Sequence, residues 1–291
     1  MKYRKGIILA GGLGTRMYPV TNGISKQLLP VFDKPMIYYP LSVLMLSGIK
    51  DILIITNPQD MSQFQRVLGD GNQWGIRLSY KAQLAPEGLA HAFILAESFL
   101  DGHPSALILG DNLFFGHDLM RILQSAMSTE KGASILGYHV SNPKDYGVVS
   151  YNADGEVTGI VEKPETPPSN IAITGLYFVD CTASDRAKLV KPSHRGELEI
   201  TSLLDSYLED KSLKLTQLGR GIAWLDTGTH NSLLDAANFV RTLTEKQGLQ
   251  VGSPDEVAYR LGYINKAQLI ENANKFSKSQ YGEYLSRLSE M

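Results

Sequence analysis

The stretch GIILAGGLGTRMYP, residues 6–19, determines how the rest of the chain is interpreted. Its first five residues are a short apolar run with isoleucines at the centre, which predicts a buried strand. The strand is followed by Gly11, Gly12 and Gly14. These glycines let the backbone turn sharply and direct several N–H groups at one point, a geometry that binds phosphate. Arg16 would then add a bidentate donor to a phosphate chain. A plain strand-to-loop turn with a surface arginine is the alternative.

Two familiar glycine motifs do not fit this loop. The dinucleotide fingerprint G-x-G-x-x-G requires a third glycine where Met17 stands. The P-loop requires its second glycine where Arg16 stands, followed by Lys-Ser or Lys-Thr, and neither pair follows. A dehydrogenase is therefore the weakest of the enzyme classes considered, and what remains is G-G-x-G-T-R.

The composition limits the class of protein. The chain has 291 residues, is 43% hydrophobic and 20% charged, and so suits one large α/β domain or one domain with an appendage. A net charge of −2 argues against nucleic acid or an anionic membrane as the main partner. The single cysteine, Cys181, excludes an internal disulfide framework. The first apolar run is too short for a signal peptide, and no run of about 18 apolar residues follows. We expect a soluble, cytoplasmic protein.

Strand and helix patterns alternate through the first half of the chain. Strands are predicted at 51–56, 105–111 and 132–140, and helices at 36–46, 62–68, 89–99 and 119–127. This alternation predicts βαβ units around a parallel sheet, with the ligand beyond the carboxyl ends of the strands.

The pattern changes from Tyr146 onwards. A hairpin signal at Asp154-Gly155, strands at 170–180 and 213–219, and a helix at 197–210 predict an antiparallel or mixed extension that covers the site. Helices are then predicted at 231–246, 254–262, 266–275 and 280–289, with Ser253 as an N-cap before Pro254.

Two aspartates are candidates for a metal site. Asp111 ends a buried strand, and Asp118 is the better cap for the following helix, so Asp111 has no obvious structural role. Asp226 is a stronger N-cap candidate, although Thr229 can cap that helix instead. If both carboxylates reach the mouth of the sheet, two hard oxygen ligands could hold Mg²⁺ against a polyphosphate.

Other polar residues are less informative. Lys26 and Lys163 are each more often solvated surface lysines than ligands, because lysine is mostly exposed in proteins. Gln83 most often serves as an amide in a turn, although its side chain can pair with a nucleobase edge. The histidines never stand at metal-ligand spacing, and His-Glu-x-x-His, Cys-x-x-Cys and Gly-x-Ser-x-Gly do not occur. Zinc catalysis and serine-type hydrolysis therefore have no support.

Together these segments resemble the sugar-1-phosphate nucleotidylyltransferases, and among them the short bacterial glucose-1-phosphate thymidylyltransferases. The matching runs, in family order over roughly residues 4 to 240, are GIILAGGLGTRMYP, SKQLLPVFDKPMIYYPLSVLMLSGI, LGDG, GLAHAF, LILGDNLFFGHDL, YGVV, VEKP, NIAITGLYFVD, RGELEIT and AWLDTGTH. The glycine signature is common to all sugar nucleotidyltransferases, whereas SKQLLP, DKPMIYYPLS and WLDTGTH are narrower.

The resemblance implies a fold and a reaction. The fold is an α/β, Rossmann-like, three-layer mixed sheet with a C-terminal helical segment. Residues 1–240 would form the catalytic domain, with a nucleotide-binding part at 1–140 and a sugar-binding part at 141–228, and residues 241–291 a subunit-contact or regulatory segment. The reaction would join dTTP and α-D-glucose 1-phosphate into dTDP-glucose and pyrophosphate, with Mg²⁺. A sugar phosphate is largely ionised at neutral pH, so no general base is required.

The resemblance also implies roles for individual residues. Asp111 and Asp226 would bind Mg²⁺, Arg16 would stabilise the reacting phosphorus and the pyrophosphate, Lys26 would contact the phosphates, and Lys163 would hold the sugar phosphate. The nucleotide would be bound by Leu9, Gly11, Gly12, Leu13, Gly14, Thr15, Arg16, Lys26, Gln27, Gln83, Gly88 and Asp111, with Gln83 and Gly88 reading thymine. The sugar would be bound by Tyr146, Gly147, Glu162, Lys163, Ile173 and Trp224. Leu13 departs from the pattern, since relatives often have a small residue there.

Regulation and assembly follow from the same resemblance. It implies a homotetramer with a second nucleotide site, through which dTDP-L-rhamnose inhibits; we assign Arg220, Gly221, Glu256 and Arg260 to that site. Two alternatives stay open: a uridylyltransferase or another hexose-1-phosphate nucleotidylyltransferase, and a catalytically silent nucleotide-sugar sensor. Intact Arg16, Lys163, Asp111 and Asp226 argue against the sensor.

Overall fold

The computed structural model describes residues 3–290 of the chain. The strands are β1 (Lys5–Ala10), β2 (Pro30–Val31), β3 (Lys34–Pro35), β4 (Asp51–Thr56), β5 (Arg77–Ala82), β6 (Ser105–Leu109), β7 (Asn112–Gly116), β8 (Ala133–His139), β9 (Gly147–Tyr151), β10 (Val157–Glu162), β11 (Ile171–Val179), β12 (Leu213–Gln217) and β13 (Ile222–Asp226). The α-helices are α1 (Tyr38–Leu46), α2 (Met61–Leu68), α3 (His91–Leu100), α4 (Leu119–Met127), α5 (Ala183–Leu189), α6 (Ile200–Glu209), α7 (His230–Gln247), α8 (Pro254–Arg260), α9 (Lys266–Lys275) and α10 (Gln280–Glu290).

The first strand lies in the middle of a parallel block. β1 pairs in parallel with both β4 and β6, and β4 pairs in parallel with β5. Ile8, for example, lies between Ile54 and Ile108. Both faces of such a strand are covered, which explains its continuous apolar sequence. The predicted parallel sheet and the position of the glycine loop at its carboxyl edge are therefore confirmed.

Beyond β6 the sheet becomes mixed, as expected for the second half of the chain. β11 runs antiparallel to β6, β8 and β9, while β12 runs parallel to β8. The strand over 132–140 is present as β8, and it runs in the same direction as β6, because β11 is antiparallel to both. β11 lies between them, however, so β8 is not hydrogen-bonded to the parallel block and the sheet is mixed at this point.

Helices cover both faces of this sheet. Alternate residues of β1 enter different clusters: Ile8 packs with α1, α2 and α4, and Ile7 packs with α3, α5 and α6. Because side chains of a strand alternate between faces, this division defines a helix–sheet–helix arrangement of three layers. The predicted fold class is confirmed.

The four C-terminal helices lie where they were predicted. The Ser253 hydroxyl caps α8 by accepting from the Glu256 N–H at 3.2 Å, with Pro254 at the first helical position. Leu269 and Leu285 are fully buried in the same cluster as α1 and α2. The tail is thus packed onto its own chain.

A separate two-stranded ribbon, β7 paired with β13, was not predicted. Its antiparallel register places Asp226 opposite Asn112, directly after Asp111. Thr227 extends this pairing, since its N–H and its hydroxyl both donate to the Asp111 carbonyl, at 3.1 and 2.9 Å. The ribbon therefore brings the two candidate metal ligands to one end.

The helix caps leave Asp226 free for chemistry, but they do not support the same inference for Asp111. Thr229 caps α7 in a reciprocal pair with Ser232, so Asp226 is not needed there. The expectation that Asp118 caps α4 is wrong: its φ is +62°, and its carboxylate accepts from Arg121 at 3.1 Å. Among the described residues, α4 has no side-chain cap.

Candidate active site

The glycine loop leaves β1 and closes into a 3-10 turn at Thr15–Met17. Gly14 has φ of +62°, a conformation that glycine adopts at little cost, and its carbonyl accepts from the Met17 N–H at 2.8 Å. Met17 is fully buried, which explains why a core side chain stands where the dinucleotide motif has glycine. Within the described chain, a Cβ built on Gly12 would meet no other atom within 4 Å. The backbone at Gly12 is open to a ligand.

Two cavities adjoin at the carboxyl edge of the sheet. The first, the loop cavity, has a volume of about 340 Å³. It is lined by Leu9, Gly12, Gly14, Thr15, Arg16, Lys26, Gln27, Leu89, Leu109, Asp111, Glu197 and Gly228. Eight of the twelve residues predicted to bind nucleotide are therefore brought together here.

The second, the Trp224 cavity, has a volume of about 170 Å³. All six residues predicted to bind sugar line it, together with Arg16, Leu89, Leu109, Asp111, Asn112, Asp145, Gly175, Tyr177, Ile200, Thr201, Asp226 and Gly228. The Trp224 ring is buried and packs on Tyr146 at 5.3 Å between centroids. Arg16 and Asp111 line both cavities, so they lie at the junction where two ligands would meet.

The loop cavity contains a buried ion pair. The Lys26 ammonium donates to Asp111 Oδ2, and the Asn112 amide donates to Asp111 Oδ1 at 3.0 Å. Burial alone would raise the pKa of Asp111, but the Lys26 charge and these hydrogen bonds outweigh it and lower that pKa. Asp111 is therefore ionised, and the default interpretation of Lys26 as a solvated lysine is wrong.

Asp226 is in the opposite electrostatic situation. Burial, and next the charge of Asp111, raise the pKa of Asp226, although Lys26 and Arg16 act against this. Burial and the Asp226 charge also raise the pKa of Tyr146 to about 12. The two neighbouring carboxylates thus share the junction with Lys26 and Arg16, and carboxylate oxygens are the hard ligands that fit a divalent cation.

The far side of the Trp224 cavity carries Glu162 and Lys163. Lys163 has φ of +43°, a strained conformation for a non-glycine residue, and its Nζ lies 3.7 Å from Glu162 Oε1. Burial raises the pKa of Glu162, with Lys163 acting in the opposite direction. Lys163 directly follows the end of β10 at Glu162.

Four predicted nucleotide residues lie outside the loop cavity lining. Gln83 is buried; its Oε1 would lie 2.7 Å from a Cβ on Gly11, and its Nε2 is 3.4 Å from His91 Nδ1. Gly88 has φ of +101° and is pressed against the Leu198 backbone. Leu13 is half exposed and lines a separate cavity.

The predicted regulatory residues lie at the other end of the ribbon. Glu256 and Arg260 line a cavity of about 640 Å³ and form an ion pair at 2.7 Å. Gly221 lines a neighbouring cavity of about 450 Å³ that shares His117, Asp118 and Arg121 with the first. Arg220 is exposed and is not part of either lining.

Sequence reasoning missed several residues of the site. Asn112 and Thr201 line the Trp224 cavity, and Arg195 forks onto both oxygens of Glu199 at 2.9 and 3.0 Å while its Nη2 lies 3.7 Å from Glu162 Oε1. All three lie within runs that carry the resemblance, LGDN and RGELEIT. Those runs were the available signal.

Two general features of residues 3–290 complete the description. No helix among them is long and apolar enough to cross a membrane. No group of three or more His, Cys, Asp and Glu side chains there could hold a metal ion by itself. The two carboxylates would need oxygens from a ligand to complete a coordination shell.

A glycine loop and two carboxylates at the edge of a parallel sheet define the class of protein. The nucleotidyl transferase family model matches residues 5–242, and the chain belongs to that family. The match extends from β1 into α7 and so includes both cavities.

Within that family, the similar proteins carry one name. The chain is 56% identical over 289 residues to the glucose-1-phosphate thymidylyltransferase of Xanthomonas campestris pv. campestris, covering 99% of this chain and 98% of that protein. It is 54% identical over 284 residues to the glucose-1-phosphate thymidylyltransferase of Neisseria meningitidis, covering 98% and 99%. The chain is thus a member of the glucose-1-phosphate thymidylyltransferase branch.

Solved structures of two nucleotidyltransferases have the same fold. A protein of Bacillus anthracis described as a glucose-1-phosphate thymidylyltransferase, in complex with sucrose, matches with a TM-score of 0.76 and 38% identity, over 82% of this chain and 95% of its own. UDP-glucose pyrophosphorylase complexed with UDP-glucose matches with a TM-score of 0.73 and 26% identity, over 82% and 99%.

Proposed function

We propose that this protein transfers a thymidylyl group from dTTP to α-D-glucose 1-phosphate, forming dTDP-glucose and pyrophosphate as a first step towards dTDP-sugars in the cytoplasm. The observation that carries the proposal is the pair of adjoining cavities that share Arg16 and Asp111. One cavity offers a glycine loop to a triphosphate, and the other offers an aromatic floor and a carboxylate to a sugar. The names of the similar proteins support the same reaction.

The central difficulty of the reaction is electrostatic, because one phosphate must attack another. The sugar phosphate oxygen is already largely ionised, with a second pKa of about 6, so positioning and charge neutralisation supply most of the rate. Lys163 would hold the attacking phosphate, Lys26 the triphosphate, and Arg16 the charge that develops at the α-phosphorus and on pyrophosphate. These three cations line the two cavities.

Asp111 and Asp226 would hold a Mg²⁺ ion, whose positive charge would neutralise the two phosphates that meet here. The ribbon pairing and the raised pKa of Asp226 support this assignment. In the free protein the Asp111 carboxylate already accepts hydrogen bonds from Asn112 and Lys26. Lys26 would therefore move from Asp111 onto the nucleotide when Mg²⁺ and dTTP bind.

The sugar and the base would be recognised by different chemistry. Glu162 would accept hydrogen bonds from sugar hydroxyls, with Gly147 and Ile173 lining the pocket and Trp224 forming its floor. Gln83 and Gly88 would contact thymine. Uracil presents the same amide edge, and the structural match to UDP-glucose pyrophosphorylase makes UTP the competitor to test.

A second nucleotide site is proposed in the 640 Å³ cavity. Glu256 and Arg260 would bind there, with Gly221 in the neighbouring 450 Å³ cavity and Arg220 beside it in the sequence, and dTDP-L-rhamnose would be the inhibitor of a homotetramer. The tail packs onto its own chain, so a subunit contact would use its exposed residues. In this proposal, Arg260→Ala keeps basal turnover and loses inhibition; inhibition equal to wild type would place the regulatory site elsewhere.

The deciding experiment is pyrophosphate release with Mg²⁺, across dTTP, UTP, ATP, CTP and GTP against several sugar 1-phosphates. We expect the largest kcat/KM for dTTP with glucose 1-phosphate, and no release without a sugar phosphate. Preference for UTP would establish the uridylyltransferase alternative. If folded protein that still binds dTTP releases no pyrophosphate with any pair of substrates, the sensor alternative would be established.

A further inference from the structure

Asn112 occupies an unusual position between the two functional parts of the site. Its side chain is buried at 3% exposure and makes three hydrogen bonds. The amide nitrogen donates to Asp111 Oδ1 at 3.0 Å, and the amide oxygen accepts from Trp224 Nε1 at 2.6 Å and from the Gly175 N–H at 3.1 Å. One amide thus contacts a carboxylate of the junction, the floor of the Trp224 cavity and the strand β11.

Chemistry fixes the orientation of this amide. An indole N–H and a backbone N–H can only donate, so the Asn112 oxygen must face Trp224 and Gly175. The nitrogen must then face Asp111, and the usual ambiguity between the two amide orientations does not arise here. Trp224 and Gly175 therefore decide which group is presented to Asp111.

The surroundings leave the amide little freedom. A Cβ on Gly175 would lie 2.6 Å from the Asn112 oxygen, so only glycine allows β11 to approach this closely. The backbone of Asn112 is paired with Asp226 across the ribbon. Lys26 donates to the other oxygen of Asp111, so the Asn112 bond determines which oxygen remains towards Lys26 and the loop cavity.

We propose that Asn112 is a positioning residue that couples the sugar floor to metal binding, by holding Asp111 and Trp224 in one hydrogen-bonded unit. This inference rests on the proposed function. Residues that orient a metal ligand from behind typically change metal affinity or activity 10- to 100-fold when they are removed. Asn112 acts through Asp111 and Trp224.

The test uses two variants of the site and one matched control. Asn112→Leu keeps the size and removes all three bonds, whereas Trp224→Phe removes the indole N–H together with part of the ring that packs on Tyr146. The control is Asn272→Leu, because Asn272 is equally buried and donates to the buried carboxylate of Asp255 at 2.9 Å, in the C-terminal tail. Each protein is assayed for the Mg²⁺ concentration of half-maximal turnover and for the KM of glucose 1-phosphate.

A second readout does not depend on turnover. The gain in Tm on adding dTTP is measured with Mg²⁺ and with EDTA, since binding to the native state raises Tm by mass action. In Asn112→Leu we expect the half-activating Mg²⁺ concentration to rise about 10- to 100-fold and the Mg²⁺-dependent part of the Tm gain to shrink. Asn272→Leu should lower Tm but leave both quantities as in wild type.

Combining Trp224→Phe with Asn112→Leu separates the hydrogen-bonded coupling from the loss of ring packing. Alone, Trp224→Phe should raise the half-activating Mg²⁺ concentration as well as the KM of the sugar, and it should add nothing to that Mg²⁺ shift in an Asn112→Leu background. The inference is overturned if both single variants keep the Mg²⁺ dependence of wild type. If Asn112→Leu does not fold, the same result in Trp224→Phe alone overturns it. A silent wild-type enzyme would instead overturn the proposed function, and the Tm readout would still test the coupling.

Discussion

The loop cavity and the Trp224 cavity hold their cations in different ways. In the loop cavity Lys26 is only 9% exposed and is bound to Asp111, whereas Lys163 in the Trp224 cavity is 47% exposed and lies 3.7 Å from its nearest carboxylate. Arg195, which also lies 3.7 Å from Glu162, is bound to Glu199. The loop cavity is charged and ordered before a ligand arrives, while the Trp224 cavity keeps its cation accessible to an incoming phosphate.

Asp111 and Asp226 also differ from each other, because Asp111 is bound to Lys26 whereas burial raises the pKa of Asp226. Replacing each of them should have the largest effects. Asp226→Asn should lower turnover by orders of magnitude, because one metal-binding charge is lost. The raised pKa of Asp226 means that folding disfavours its ionised form, so Asp226→Asn should also raise the free energy of unfolding at neutral pH.

Asp111→Asn provides the comparison. It should lose turnover similarly but also lose stability, since it leaves the buried Lys26 ammonium without its anion, a change that costs about 3–5 kcal/mol in buried pairs. Turnover and urea unfolding at pH 7 measure both effects. Near-wild-type turnover with unchanged Mg²⁺ dependence in Asp226→Asn would refute the metal assignment.

The lysines give the next largest effect. Lys163→Met should lower kcat/KM about 100-fold or more, because a phosphate-positioning charge is lost, with little change in stability at a half-exposed position. Lys26→Met should lower both turnover and Tm, because it leaves Asp111 buried without its cation. Equal losses of Tm in the two variants would remove the distinction between an ordered and an accessible cavity.

The part of the site that could be predicted is the part that local chemistry determines. The apolar run at β1, the turn at Gly14 and the Thr229 cap each act through neighbours in sequence, and the structure contains all three, whereas phosphate binding by the glycines stays a prediction. The sugar residues came from resemblance, and they do line one cavity.

What could not be predicted depends on distant segments meeting. The ribbon pairs Asn112 with Asp226, and the burial of Lys26 follows from its contact with Asp111. Asp118 failed as a cap because its backbone turned to a positive φ, which a cap motif in the sequence does not reveal. Hydrogen bonds such as that from Trp224 to Asn112 join strands 112 residues apart in the chain.

The smallest expected effect concerns the pH dependence of the Trp224 cavity. Burial raises the pKa of Glu162, so this carboxylate should take up a proton at a higher pH than an exposed glutamate. A protonated Glu162 accepts sugar hydroxyls less well, so the KM of glucose 1-phosphate should rise as the pH falls towards that pKa. Glu162→Gln should raise this KM about tenfold at neutral pH, the magnitude of one hydrogen bond to a charged group.

The substrate itself takes up a proton near pH 6, so the comparison must remove that contribution. The ratio of KM in Glu162→Gln to KM in wild type does so, because both proteins meet the same sugar phosphate at each pH. This ratio should be largest at neutral pH and fall towards one on the acid side, where the wild-type carboxylate is also neutral. A ratio that stays constant from neutral pH to pH 5 would show that Glu162 does not titrate there, and that Lys163 and Arg195 outweigh burial in setting its charge.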